Sequence, residues 1–503
     1  MAIKVAMVGA GSIGFTRRLT GDILTVPELD DTEFALMDID KRNLEMVREL
    51  VNRDIEANGK SAKLTATTDR RKALYGANYV FSLVRVGGLE AFRHDIEIPL
   101  KYGVDQCVGD TLCAGGIMYG QRGIPVLLDI CKDIREVASE DVVFMNYANP
   151  MAMLTWACNH YGGVNTIGLC HGVKGGCEQI ADVLGLPVEE LDFICAGINH
   201  QTWYLSVKHN GKELRHKLLK KFEKHPVYSK TEKIRIDILR RFGYYSTESN
   251  GHISEYVPWY RKRPREIRKW IDMSSWINGE TGGYLRICEE ERDRFEKDYR
   301  DRLEAPSHEF TPENRSKEHG SRIIEAMETG RVYRGCFNVV NRGIIANLPQ
   351  DCIVEAPGYV DGNGLNMTVV GQLPLACAAT CNASVQVQRM AVQAAVHGDA
   401  TLLKQAMLHD PLTAAVCDPP EIWQMADRML AAQARWLPQY RREIPKARRR
   451  LARQEPLDNK SGRGAARRRT TPADEAWKSP TRPAPPERKK KTRTKSESPK
   501  AAR

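Results

Sequence analysis

The first half of the chain alternates short apolar runs with longer amphipathic stretches. Residues 3–8, 33–37, 79–86 and 142–146 are almost continuously apolar, and a Gly, an Asp or an Asn-containing turn follows each run. Continuous apolar strands separated by helices are typical of a parallel sheet that is covered on both faces. The pattern therefore predicts an α/β fold that begins with a Rossmann-like, doubly wound domain.

The second half of the chain follows a different pattern. We predict a further strand at 166–170, a helix near 175–185, a charged helical stretch over about 210–330, strands over 333–375, and helices near 376–408 and 420–450. Strands grouped apart from helices indicate an α+β domain. We find no internal repeat in the chain.

A glycine-rich turn follows the first apolar run. Its spacing is Gly-x-Gly-x-x-Gly, with Gly9 for the tight turn, Gly11 for close approach to a pyrophosphate, and Gly14 for packing of the next helix on the strand. Asp38 ends the second apolar run, where an acid would hold a ribose hydroxyl of NAD. The sequence therefore predicts an NAD site formed by Gly9, Gly11, Ser12, Gly14 and Asp38.

The composition of the chain indicates the cellular compartment in which the protein works. The chain has 503 residues, and its 13 cysteines form no small-domain framework, so we expect reduced thiols. No apolar run is long enough to span a bilayer, and the N-terminus enters a strand at once, leaving no room for a signal peptide. These observations predict a cytoplasmic protein without a membrane partner.

The positive charge of the chain lies almost entirely at its C-terminal end. Residues 451–503 hold 16 Lys and Arg and 6 Asp and Glu, a net charge of +10, whereas the formal net charge of the whole chain is +11. This segment is rich in Pro, Ser, Lys and Arg, so we predict a disordered basic tail. Such runs attract phosphates, but only Trp477 could stack on a base, and we favour a solvated appendage over a nucleic-acid tether.

Three polar clusters could carry chemistry. Cys170-His171 closes a predicted strand, Asn199-His200 follows the apolar run 193–197, and residues 247–256 concentrate acid, imidazole and phenol in one loop. A thiolate and an imidazole together can hold a divalent metal and leave positions open for a substrate. Each cluster also fits an ordinary core cysteine or hydrogen-bonded turn, and no closed zinc spacing is present. Spacing alone leaves both interpretations open.

Taken together, these motifs resemble glycoside hydrolase family 4, the NAD- and manganese-dependent glycosidases. The resemblance runs from Met1 to about Arg450, and it rests on Val8-Gly9-Ala10-Gly11-Ser12, Met37-Asp38-Ile39-Asp40, Val86-Gly87-Gly88, Ile98-Pro99-Leu100-Lys101-Tyr102-Gly103, Asn149-Pro150, Cys170-His171-Gly172 and Gly197-Ile198-Asn199-His200.

Within this family the chain is most similar to the α-galactosidase branch. The similarity lies in Gly109-Asp110-Thr111, Gly115-Gly116-Ile117-Met118, Thr247-Glu248-Ser249 and Glu255-Tyr256. The phospho-glycosidase branch usually carries Asp or Asn after the metal cysteine, where this chain has His171. The resemblance therefore implies a substrate without a sugar phosphate.

The resemblance implies hydrolysis of α-galactosides by an oxidation–elimination–addition–reduction mechanism with NAD and Mn(II). Such a mechanism oxidises carbon 3 of the sugar and removes the proton of carbon 2, and this family is an exception to hydrolysis by two carboxylates. The implied metal ligands are Cys170 and His200, and the implied substrate contacts are Asn149 and Arg93. His171 occupies the position of the family's acid. His252 and Tyr256 are alternatives for the base.

The predicted domains are an NAD-binding domain at 1–165, a metal, substrate and oligomerisation domain at 166–450, and the tail at 451–503. The family implies an overall arrangement like that of the lactate and malate dehydrogenases. It also implies a homo-oligomer, either a dimer or a tetramer. Alternative functions are an α-glucosidase or α-galacturonidase of the same family, an NAD-dependent 2-hydroxy-acid dehydrogenase, and an NAD sensor whose tail binds nucleic acid. The dehydrogenase would need no thiolate ligand, and we find no Gly-Glu-His-Gly loop for it.

Overall fold

The computed structural model describes residues 2–458 and 464–468. In this part of the chain twelve strands form a single mixed sheet, in the order β3-β2-β1-β4-β5-β6-β10-β11-β7-β8-β9, with β12 paired to β11. The strands are β1 Lys4–Val8, β2 Glu33–Met37, β3 Lys63–Thr67, β4 Tyr79–Ser82, β5 Val143–Asn146, β6 Thr166–Gly168, β7 Leu191–Ile198, β8 Gln201–His209, β9 Lys212–Glu213, β10 Tyr333–Val340, β11 Ile353–Asp361 and β12 Gly364–Met367.

The first six strands of the sheet are parallel, as the apolar runs predict. β1 pairs with β2 and β4, β2 with β3, β4 with β5, and β5 with β6, all in parallel register. This is the strand order of a doubly wound dinucleotide fold, so the α/β prediction is confirmed. The carboxyl ends of these strands bring the glycine turn, Asn149 and Cys170 to one edge of the sheet.

Helices cover both faces of the sheet. They are α1 Ile13–Leu24, α2 Lys41–Ala57, α3 Arg70–Leu74, α4 Gly88–Lys101, α5 Cys113–Val137, α6 Met151–Ala157, α7 Gly172–Leu184, α8 Leu218–Lys224, α9 Tyr228–Thr231, α10 Lys233–Phe242, α11 Asn250–Glu255, α12 Pro264–Trp270, α13 Gly283–Glu304, α14 His319–Thr329, α15 Leu375–His397, α16 Ala400–His409, α17 Pro411–Val416, α18 Pro419–Ala432 and α19 Ile444–Arg453.

Alternation along β1 explains the two layers of helices. Val5 and Met7 pack into one apolar cluster with α1, α2 and α14, whereas Ala6 and Val8 pack into a second with α5 and α15. Successive side chains of a strand point to opposite faces, so a continuously apolar strand requires cover on both.

The sheet continues into the second half of the chain without a break. β10 joins β6 through Asn338 opposite Gly168, and β11 joins β7 through Glu355 opposite Gly197, both antiparallel. β6, which completes the parallel half, lies after the predicted domain boundary at residue 165, and that boundary stays a prediction. The described residues up to Arg468 form one compact unit.

Parts of the predicted tail, residues 451–458 and 464–468, are ordered against the body in the structure. The Gln424 amide donates to the Glu455 carbonyl, Arg428 pairs with Asp458, and the Ala465 amide donates to Asp105. The prediction rested on the composition of this segment, whereas backbone amides and ion pairs hold it. The predicted disorder of 459–463 and 469–503 lies outside the described residues. No helix in the described ranges is long and apolar enough to cross a membrane.

Candidate active site

Three side chains that could bind a metal meet at the carboxyl edge of the sheet. Cys170 follows β6, His200 lies in the turn between β7 and β8, and Glu248 precedes α11. One ligand atom from each lies within 4.8 Å of the others. The Cys170 Sγ is 3.7 Å from Glu248 Oε1, and His200 Nε2 is 4.0 Å from the same oxygen.

Two backbone features hold this cluster in place. Asn199 and His200 form a two-residue hairpin turn, in which His200 adopts a left-handed φ of 62°. A left-handed φ is uncommon in a non-glycine residue, but two-residue hairpin turns require it, so the turn itself fixes where His200 points. Gly172, at the start of α7, provides the space for Glu248, because a Cβ there would lie 1.9 Å from Oε1.

The other ring nitrogen of His200, Nδ1, has hydrogen-bond partners of its own. Nδ1 lies 3.1 Å from Thr111 Oγ1 and 3.3 Å from the Tyr256 hydroxyl. The Thr111 hydroxyl donates its proton to Asp110 at 3.0 Å, so its oxygen is left to accept from Nδ1–H. This network assigns the proton of the imidazole to Nδ1 and leaves the lone pair of Nε2 for the cluster. Asp110 also accepts a hydrogen bond from the Asn149 amide at 2.9 Å.

The electrostatics of the cluster fit a divalent cation. Burial and the neighbouring carboxylates of Glu248 and Glu355 raise the pKa of the Cys170 thiol well above its usual value. Burial opposes ionisation of Glu248 too, but nearby His200, His252 and Arg235 outweigh it and lower the pKa of that carboxyl. A bound cation would turn the thiol into a thiolate ligand.

The donor set has the character of an open metal site. Sulfur, nitrogen and oxygen come from three protein side chains, which leaves coordination positions for a substrate. The Gly172 amide points at Cys170 Sγ from 3.4 Å and so favours the thiolate. These residues fit a divalent first-row metal such as Mn(II).

The two candidate bases differ in their hydrogen bonding. His252 Nδ1 contacts Ser249 Oγ at 3.0 Å, and its ring centroid lies 4.9 Å from that of His200. In the described part of the chain its Nε2 has no hydrogen-bond partner. Tyr256, in contrast, uses its hydroxyl on His200. Burial lowers the pKa of His252 despite the neighbouring Glu248 carboxylate, and burial raises that of Tyr256.

The predicted acid, His171, lies beside the glycine turn. Its Nε2 is 2.7 Å from Glu318 Oε2, and its ring packs near the rings of Phe15 and Tyr147. Burial raises the pKa of Glu318, but His171 and Arg18 outweigh it and lower the pKa overall. Half of the His171 side chain is exposed. Its role as the acid stays a prediction.

The glycine turn adopts the conformation that the motif predicts. The amides of Gly9 and Ala10 both donate to the Met37 carbonyl, and Gly9 has a φ of 92° with no room for a Cβ beside Leu83. The Gly11 amide donates to Asp38 Oδ2 at 2.7 Å. Asp38 therefore also supports the turn itself, in addition to its predicted role with a ribose.

The entrance to α1 is open. Ser12 is the N-cap residue, but its side chain makes no capping hydrogen bond. A Cβ at Gly14 would meet nothing within 4 Å among the described residues, so the predicted need for Gly14 in helix packing is wrong. The free amides and the open space at the helix N-terminus instead fit an approaching phosphate.

Arg93, the predicted substrate contact, and Arg85 are placed differently. Arg93 pairs with Glu289 and is more than half exposed, and in the described residues no hydrogen bond joins it to the metal cluster or to Asn149. Arg85 lies between the rings of Phe92 and Tyr284 and donates to the Tyr284 hydroxyl at 2.8 Å. Its Nη1 is buried without a partner in the described residues. Arg85 is thus a second guanidinium available to a ligand, which the sequence did not indicate.

The structure adds residues that sequence reasoning did not assign. Glu248 stood in a recognised polar loop, but nothing in its spacing distinguished it from Glu255. Asp110 and Thr111 entered only through the family resemblance, and their contacts with Asn149 and His200 span at least 39 positions. The signal that could have identified Glu248 is Gly172, whose missing side chain makes room for it.

Comparisons with known proteins agree with this geometry. The sequence model described as "Family 4 glycosyl hydrolase" matches residues 4–186, and the one described as "Family 4 glycosyl hydrolase C-terminal domain" matches 195–413. An alpha-galactosidase from Rhizobium meliloti (strain 1021) is 60% identical over 475 residues, covering 94% of this chain and 97% of the relative. An alpha-galactosidase from Bacillus subtilis (strain 168) is 35% identical over 439 residues, covering 87% and 100%.

Solved structures share the fold. A 6-phospho-alpha-glucosidase from gut microorganisms, solved with NAD and glucose-6-phosphate, has a TM-score of 0.72 at 24% identity and covers 87% of this chain and 99% of its own. A 6-phospho-beta glucosidase from Thermotoga maritima, solved with manganese, NAD+ and glucose-6-phosphate, has a TM-score of 0.71 at 22% identity and covers 86% and 99%.

Proposed function

The chain belongs to glycosyl hydrolase family 4, and we propose that it is an α-galactosidase that uses NAD and Mn(II). One observation carries the chemistry: the ligand atoms of Cys170, His200 and Glu248 converge at the sheet edge that also bears the glycine turn. A hydrolase that displaced its leaving group directly would need neither feature.

The two cofactor sites are assigned to separate parts of this edge. Gly9, Gly11, Ser12 and Gly14 would hold the pyrophosphate of NAD, and Asp38 its ribose. Cys170, His200 and Glu248 would hold Mn(II). When bound, NAD supplies a reversible hydride acceptor and Mn(II) a Lewis acid for the oxygens of the sugar.

The remaining polar groups act on the sugar. Asn149 is fixed through Nδ2 by Asp110, so its Oδ1 is left to accept from a sugar hydroxyl. Arg85 offers its Nη1, which is unpartnered among the described residues, to another sugar hydroxyl, whereas Arg93 would have to exchange Glu289 for a hydroxyl.

The proposed base and acid come from different segments, because His252 lies on α11 and His171 directly follows Cys170. His252 is the base, because its Nε2 is free to accept the proton of carbon 2 while Ser249 holds Nδ1. Tyr256 is the alternative base, although its hydroxyl supports His200. His171 is the acid that assists the leaving group, with Glu318 orienting its ring.

We assign the active enzyme to the cytoplasm as a homo-oligomer, either a dimer or a tetramer. All 13 cysteines are free in the structure, which suits a reducing compartment. The family resemblance supports the oligomer, and sedimentation of the purified protein would measure it.

The test of this function is a panel of nitrophenyl glycosides assayed with NAD, Mn(II) and a thiol reductant. We expect hydrolysis of the α-galactoside, with slower or no hydrolysis of the α-glucoside and α-galacturonide and no net NADH. Faster hydrolysis of the α-glucoside or the α-galacturonide would show that the chain has that activity of the family instead. Steady NADH production from a 2-hydroxy acid, without glycoside hydrolysis, would contradict the proposal.

A further inference from the structure

We propose that residues 464–468, here called the C-terminal strap, position the loop 105–111 that supports His200. This inference rests on the proposed function for its link to catalysis, but the contacts of the strap stand independently of it.

The strap is bound to the body by backbone hydrogen bonds. The Ala465 amide donates to Asp105 Oδ2 at 2.8 Å, and the Ala466 amide donates to Thr281 Oγ1 at 3.2 Å. The Thr281 amide returns a hydrogen bond to the Ala466 carbonyl at 3.1 Å. Gly464 has a φ of 72° and lies so close to Thr281 that a Cβ would clash with it. The strap therefore adopts a defined path.

Two arginines extend the strap to either side. Arg467 forms an ion pair with Glu97 on α4, and the Arg468 guanidinium donates to the Met273 carbonyl. The strap thus bridges α4 and the segment between α12 and α13. Each arginine therefore has a defined partner on the body, which fixes the position of the strap.

The anchor of the strap, Asp105, is a buried charge. It is 4% exposed and accepts from Arg261 Nη2 at 2.6 Å and Thr281 Oγ1 at 2.7 Å, while Arg261 itself is fully buried. A buried carboxylate needs all its donors, because an unmet acceptor costs more than a formed hydrogen bond returns. Loss of the Ala465 amide would therefore loosen this pair.

The loop that starts at Asp105 leads directly to the metal cluster. The amides of Cys107, Val108 and Gly109 all donate to the Glu255 carboxylate. Two residues further on, Thr111 contacts His200 Nδ1. Only five residues lie between Asp105, the anchor of the strap, and Thr111, which orients a metal ligand.

The small side chains of the strap suggest that it affects the position of the loop 105–111 more than the free energy of unfolding. Ala466 is buried in the apolar core and Ala465 packs against it, but both side chains are single methyl groups, so removing them costs little hydrophobic burial. Their loss falls instead on the geometry of the loop, and small displacements of catalytic groups reduce rates strongly.

The first experiment compares a chain that ends after Asp458 with one that ends after Arg468. For the shorter chain we expect kcat to fall about tenfold with KM and NAD binding little changed, and the amides of 107–109 to exchange hydrogen faster. The chain ending after Arg468 should match the full chain in all four measurements. Equal kcat and equal exchange in the two truncated chains would overturn the proposal.

The second experiment uses the full chain. Ala465→Pro removes the one N–H that Asp105 accepts from the strap, whereas Ala465→Ser keeps it. We expect Ala465→Pro to reproduce the lower kcat and faster exchange, and Ala465→Ser to behave as the unaltered protein. Identical behaviour of the two variants would contradict the role of this amide. If no form hydrolyses an α-galactoside, the proposed function fails, and the exchange measurement still tests the strap.

Discussion

The hydroxyl oxygen of Thr111 lies 3.1 Å from Nδ1 of His200, and its own proton goes to Asp110. One hydroxyl thereby sets the tautomer of the imidazole and directs Nε2 toward Cys170 and Glu248. Groups that hydrogen-bond the far nitrogen of a metal-binding histidine orient the ring and raise its basicity.

Thr111→Val should weaken Mn(II) binding about 10- to 100-fold, because valine keeps the shape of threonine but cannot accept from Nδ1–H. Titration of the metal with the NAD-loaded enzyme would measure the dissociation constant. Thr111→Ser is the control, since it retains the hydroxyl and should bind the metal nearly normally. Equal dissociation constants for the valine and serine variants would remove Thr111 from the site.

Gly172→Ala should displace Glu248, because the new Cβ would lie 1.9 Å from the carboxylate oxygen. We expect weaker Mn(II) binding and slower turnover, with NAD binding retained. Gly175→Ala on the same helix is the matched control, since a Cβ there meets nothing within 4 Å. If the two alanine variants bind the metal equally well, Glu248 is not a ligand.

Cys170→Ser should reduce metal-dependent turnover to background and leave NAD binding intact, because the thiolate belongs to the metal cluster and the dinucleotide to the glycine turn. Oxidising conditions should inactivate the unaltered enzyme for the same reason, since a thiolate is the reactive form of cysteine. Cys177→Ser, a partly exposed cysteine on α7, should remain active. Normal rates in Cys170→Ser would exclude this residue from the site.

Removal of the metal by a chelator should stop hydrolysis of an α-galactoside, and removal of NAD should do the same. Adding back both should restore it, whereas either alone should not. Full activity of dialysed, metal-free protein without NAD would show that neither cofactor takes part.

The sequence could predict features that lie close together along the chain. The glycine turn, Asp38 and the strand ends at Asn149 and Cys170 follow from local patterns, so the parallel sheet and the nucleotide edge were predictable. The support of His200 by Thr111 was not, because 89 positions separate these residues and only the folded chain joins them.

The C-terminal strap was missed for a different reason. It contains no large apolar side chain and lies in a segment rich in Pro, Ser, Lys and Arg, which favoured a disordered tail. In the structure the amide of Ala465 and the guanidinium of Arg467 bind partners more than 350 positions away. Gly14 shows the opposite error, because a motif residue was given a packing role where the structure has open space.

Turnover in heavy water measures directly whether a base removes the proton of carbon 2 of the sugar. We expect galactose released from an α-galactoside to carry deuterium at carbon 2, and His252→Gln to lose this reaction. Free galactose incubated with the enzyme for the same time is the control for exchange after release. Proton spectroscopy of the product reads the result, and galactose with a fully protonated carbon 2 would contradict the mechanism.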